Sequence, residues 1–122
     1  MSTAPHLALG RAAESAAARF LERQGCRILA ANFRAKGGEL DLVALDDDVL
    51  AIVEVRYRAS DRFGGAAGSI TRAKRGRIVR AARTLLAANP PLARLAARFD
   101  VVEVSGPADD LRCDLIKGAF SL

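Results

Sequence analysis

Three acidic side chains and one arginine in the stretch Gly37 to Arg58, GGELDLVALDDDVLAIVEVRYR, have types and spacing that could do chemistry. Glu39 and Asp41 lie two apart, as do Glu54 and Arg56, and residues two apart on an extended chain share a face. The carboxylate within Val53-Glu54-Val55 is costly to bury unless a cation or a donor compensates it. Magnesium or manganese is one such compensation. These hard ions take oxygen ligands, typically one or two carboxylates with a backbone carbonyl and water, and keep positions open for a phosphate. Asp41, Glu54 and the carbonyl of Val55 would suffice as that set, the ligand arrangement of a metal-dependent phosphodiesterase. The plain alternative is that Glu54 pairs with Arg56, Arg58 or Arg34 on a solvated sheet face, with Asp41 doing likewise.

The elements that must position these residues follow from periodicity. Leu40 to Leu45 is a branched apolar run, Asp46 to Asp48 is turn chemistry, and Val49 to Tyr57 resumes with Leu50, Ile52, Val53 and Val55, so the pair predicts a hairpin bent at the aspartates. Ahead of it, Ala8 to Gln24 repeats apolar residues at helical spacing and stops at Gly25, and Cys26 to Arg34 predicts a first strand. After it, Arg58 to Ser69 is glycine-rich and predicts a loop, and Thr71 to Ala88 predicts a second helix capped by Thr71 or Ser69 and ended by Asn89-Pro90-Pro91. Arg98 to Val104 and Cys113 to Ile116 add two strands. The expectation is one α/β domain over residues 1–122, with a mixed sheet and helices packed on it.

Charge supports a polyanionic partner. The 122 residues carry a net charge of +5, and from Arg62 to Phe99 there is no acidic residue among eight arginines and Lys74. Lys74 and Arg75 fall in the first turn of the second helix, where cations oppose the helix dipole, so they call for an anionic neighbour. A substrate phosphate or the hairpin carboxylates would serve. Cys26 and Cys113 are far apart and lack zinc-ligand spacing, and His6 is the sole histidine. No secretory leader or membrane span is read in the chain, and a cytoplasmic protein without a membrane partner is expected.

The order and spacing resemble the YraN-like family of small endonuclease-like bacterial proteins. These belong with the restriction-endonuclease-like superfamily and are similar to archaeal Holliday-junction resolvases. The likeness is carried by GRAAESAAARFLERQGCRILAANFRAKGGELDLVALDDDVLAIVEVRYR, RFGGAAGSITRAKRGRIVRAAR, RFDVVEV and IKGAF. It implies a restriction-endonuclease-like three-layer fold, with a central mixed sheet flanked by helices. It also implies a nuclease acting on DNA with magnesium or manganese. The superfamily pattern of Asp, spacer and Glu-x-Lys falls on Asp41, Glu54 and Arg56, and Gly-Glu-x-Asp falls on Gly38, Glu39 and Asp41. The acidic residue of the first helix falls on Glu14, and the basic position opening the second helix on Lys74.

On that resemblance Asp41, Glu54, Arg56, Glu39 and Glu14 form the catalytic set, Arg72, Lys74, Arg75 and Arg77 track nucleic acid, and two copies pair as a homodimer. Arg56 departs from the pattern. Arginine stays protonated and holds its donors in a fixed fork, so it is no general base. Three readings stay open: the metal alone activates water, Lys74 supplies the missing ammonium, or the chain is a catalytically weak or inactive nucleic-acid-binding module on the same fold.

Overall fold

The computed structural model describes residues 5–58 and 70–120, with side chains from residue 10 onward. Helix α1 spans Pro5–Arg23, strands β1, β2 and β3 span Arg27–Ala35, Gly38–Asp46 and Val49–Tyr57, and helix α2 spans Arg72–Ala88. A single turn α3, Pro90–Ala93, leads into β4, Ala96–Ser105, and β5, Arg112–Phe120. The predicted elements are present. The addition is α3: two prolines that end α2 also start a new turn, since proline fits the first positions of a helix, where its missing N–H has no partner anyway. The glycine-rich stretch expected as a loop lies, over residues 59–69, outside the described residues.

The five strands lie in the order β1-β2-β3-β4-β5, antiparallel except for the parallel pair β3 and β4, which α2 connects. One face of the sheet packs Ala13, Ala17 and Leu21 of α1 against Leu42, Ala44, Val53 and Val102. The other packs Ile78, Ala81, Ala82 and Leu85 of α2 against Val43, Leu50, Ile52 and Val101. Helix, sheet and helix therefore form three layers around a mixed sheet, the architecture expected. Among the described residues no helix is long and apolar enough to cross a membrane.

Two features of the backbone shape the region of the acidic residues. The β2–β3 hairpin closes with Asp46 opposite Val49 and Asp47 at φ 54°, a left-handed conformation that Asp tolerates. Its pairing stops at Leu42 opposite Val53, although β2 stays paired to β1 down to Gly38. The inner strands thus part at Asp41. Side-chain alternation also breaks there, with Leu40 packed in the α2 layer and Leu42 in the α1 layer.

Gly38 sets how closely α2 approaches this fork. A Cβ at Gly38 would overlap the carbonyl oxygen of Arg77 and touch Ala81 at 3.3 Å. Only glycine allows the helix backbone to lie so near the strand. Gly38→Ala is expected to displace α2 and destabilise the fold by ~1–3 kcal/mol, the cost of overpacking, measured as a lower urea midpoint at unchanged slope.

The outer strands are irregular. β1 carries an extra residue between Ile28 and Ala30 and a left-handed Asn32 at φ 53°. β5 is out of step with β4 between Phe99 and Val101 and has Gly118 at φ 60°.

Candidate functional site

The sequence folds so that the hairpin register itself brings the two acids together. Continuing the register one step beyond the Leu42–Val53 pair points Asp41 toward Glu54, and the two carboxyls lie within hydrogen-bond reach, where like charges repel. Asp41 departs from the ladder here: its Oδ2 accepts the Val55 N–H at 2.8 Å, replacing a backbone acceptor that the parting strand no longer supplies. The Val55 carbonyl lies on the same strand edge as that N–H.

Glu54 is 6% exposed. Its carboxyl is pushed up to about 7, first by burial, then by the charge of Asp41 and a hydrogen bond shared with it. Lys74 works against this shift, its Nζ lying 2.9 Å from Glu54 Oε1. Asp41 and Glu54 therefore sit side by side beneath an ammonium that comes from the other layer. Thr71 caps α2 by accepting the Lys74 backbone N–H at 3.1 Å, which fixes the turn carrying that ammonium.

Gly38, Glu39, Asp41, Glu54, Lys74, Arg77 and Ile78 line a half-open cleft of about 430 Å³. Glu39 sits at its exposed rim and pairs with Arg34 at 3.4 Å. Glu14 reaches the same acids from α1. Its carboxyl is raised by burial and then by the charges of Asp41 and Glu39, while a hydrogen bond from Asn32 opposes the rise.

Other sequence-predicted residues lie elsewhere. Arg56 is half-buried, beyond Glu54 on β3, and is not among the described residues lining the cleft. Arg72 is exposed at the start of α2. Arg75 turns toward β5, with its guanidinium carbon 5.3 Å from the Phe120 ring centroid, a cation–π contact. The two first-turn cations thus have anionic or aromatic neighbours within the protein.

Sequence reasoning missed two groups. Asn32 lies level with Asp41 across β1 and β2 and holds Glu14. The only trace it left was an asparagine within a strand-like run. At the opposite end of the sheet Asp100, 1% exposed, is held by Arg98 Nε at 2.7 Å and Nη2 at 2.9 Å and by the Gly118 N–H at 3.0 Å. Asp46 joins this cluster through Arg98 at 2.9 Å and Lys117 at 3.2 Å, and its carboxyl is lowered, chiefly by the Arg98 hydrogen bond.

These layers define a small α/β protein whose mixed five-stranded sheet between helices is consistent with a three-layer, restriction-endonuclease-like fold. Comparison with known proteins places it more narrowly. Residues 13–104 match the model of the uncharacterised protein family UPF0102. A UPF0102 protein of Xanthomonas campestris pv. campestris (strain B100) is 54% identical over 113 residues, covering 93% of this chain and 91% of the relative. One from Ectopseudomonas mendocina (strain ymp) is 47% identical over 115 residues, covering 94% and 96%, and one from Pseudomonas putida (strain W619) is 49% identical over 106 residues, covering 87% and 86%. The chain belongs to the UPF0102 family, the YraN family that its motifs resemble.

Proposed function

We propose that the protein is a metal-dependent nuclease that hydrolyses phosphodiester bonds of DNA, including branched or single-strand-containing DNA. The observation that carries this reading is the convergence of Asp41 and buried Glu54 at the mouth of a cleft that Lys74 and Arg77 also line.

The donor set suits magnesium or manganese. Asp41, Glu54 and the Val55 carbonyl offer hard oxygens only, and no three His, Cys, Asp or Glu side chains among the described residues converge as a complete metal cage. Magnesium typically accepts one or two carboxylates and keeps its waters, whereas structural zinc sites are closed by four nitrogen, sulfur or oxygen ligands. A bound ion would supply Lewis-acid stabilisation of the phosphate and a more acidic water. Glu39 would orient a water at the rim, and Glu14 would close the acid cluster from α1. Arg77 and Arg72 would hold backbone phosphates. Arg56, charged at any working pH, would add positive potential behind Glu54.

The test incubates linear, single-stranded, flapped and four-way DNA with the protein in magnesium, manganese or chelator. Scission with metal and none with chelator is expected. Salt-sensitive binding without scission under any metal overturns the reading in favour of a binding module.

The pH dependence has a definite sign. Glu54 is protonated below about 7 and charged above it, and a ligand must be deprotonated to hold a metal. Manganese affinity should therefore rise from pH 6 to pH 8, approaching tenfold per pH unit on the acid side. A flat titration by electron paramagnetic resonance removes Glu54 from the ligand set.

A further inference from the structure

We propose that Lys74, carried by α2, is the catalytic ammonium of this site. The inference rests on the nuclease reading. Among the described residues two cations line the cleft, Lys74 and Arg77, and Lys74 holds the acid pair: its Nζ is 2.9 Å from Glu54 Oε1 and its side chain is 28% exposed. Arg77 is exposed on the same wall. The anchoring is built into the fold. Thr71 caps the turn that carries Lys74, Gly38 lets the next turn lie against β2, and Ile78 buries the helix beside the acids at 3% or less exposure.

An ammonium has three donors on a compact head, and an arginine holds its donors in a rigid fork. One Lys74 donor is taken by Glu54 and two remain. One of these would donate to the attacking water and orient its free lone pair toward phosphorus. The other would meet a non-bridging phosphate oxygen as charge builds there. In the step itself the water oxygen bonds to phosphorus as the bond from phosphorus to the sugar oxygen breaks. The water loses a proton to solvent and the departing oxygen takes one from solvent. Lys74 stays protonated throughout, so it acts as a donor and not as a base. The helix thus delivers what the strand lacks, and loss of lysine from the Glu-x-Lys position need not silence the site.

The test compares wild type, Lys74→Gln and Lys74→Arg in metal-loaded cleavage and in manganese titration. Lys74→Gln is expected to lower kcat by ~10²–10³-fold, the scale of losing one preorganised donor at a developing charge, with KM within ~3-fold. Lys74→Arg keeps the charge and the pairing with Glu54, which guards against misfolding, and is expected to lose at least ~10-fold in kcat because the fork cannot replace the compact donor. In the absence of DNA, and at a pH high enough to ionise Glu54 in both proteins, Lys74→Gln should bind manganese ~10-fold more tightly, since a cation beside the ligands is gone, while Lys74→Arg should bind it as wild type does. If wild type cleaves and Lys74→Gln matches its kcat, the inference falls and the nuclease reading stands. If wild type cleaves none of the DNA panel, the nuclease reading falls and the catalytic role with it. Equal manganese affinity of wild type and Lys74→Gln would show that the Lys74 charge is not felt at the acid pair, and would overturn the inference in either case.

Discussion

Glu54→Gln and Asp41→Asn should each lower metal-dependent cleavage by roughly 10³-fold or more, about 4 kcal/mol of barrier at 1.36 kcal/mol per decade, while leaving the fold intact. Each removes a charged oxygen donor from a set of two carboxylates. The conservative amides keep volume, and Asn at 41 can still accept the Val55 N–H. Stability separates loss of chemistry from loss of structure. Because burial and Asp41 raise the Glu54 carboxyl from 4.5 to about 7, the folded protein binds a proton there that the unfolded chain has released. Stability contributed at this group therefore falls as pH rises through that window. Glu54→Gln lacks the charge, so it should melt higher than wild type at pH 8, with the difference shrinking toward pH 5. A variant that neither cleaves nor melts cooperatively would reveal a structural acid, and unchanged cleavage would remove the mechanism.

The second large effect lies at the other end of the sheet. Asp100→Ala should destabilise the protein by ~1–3 kcal/mol, the cost of leaving buried donors without their acceptor, read as a lower denaturation midpoint. Asp100 accepts two bonds from Arg98 and one from Gly118, so its loss leaves Arg98 with Asp46 alone and the Gly118 N–H without its acceptor where β4 and β5 slip out of step. Asp46→Ala is the matched control. Its carboxylate is more exposed, 21% against 1%, and its loss should cost ~1 kcal/mol or less. Equal effects at the two positions would show that burial does not set the strength of this cluster.

How far the chain could be read depends on the range of the interactions involved. The hairpin is local: two branched runs around three aspartates specify it, and its register then dictates that Asp41 meets Glu54. The stripe Ile78, Ala82 and Leu85 announced the buried face of α2, and Thr71 its cap. The rest depends on distances across the fold. The sequence placed Lys74 at the edge of the helix stripe, but only the close approach at Gly38 brings its ammonium to Glu54. Nothing in the spacing announces that Arg75 lies over Phe120 of β5. Asp100 reads as an interruption in an apolar strand, because its partners come from two residues back and from the last strand. Composition carries no trace of such pairings.

Both outer strands of the sheet are bent out of regular spacing, β1 by its extra residue and Asn32, β5 by its slip and Gly118. A foreign segment laid along either border would meet donors and acceptors at uneven intervals, and beside β5 also the charge of Lys117, which is 57% exposed. Such interruptions blunt the template that an open border otherwise presents. Strand addition at either border therefore meets a poorer template than a regular edge strand would offer.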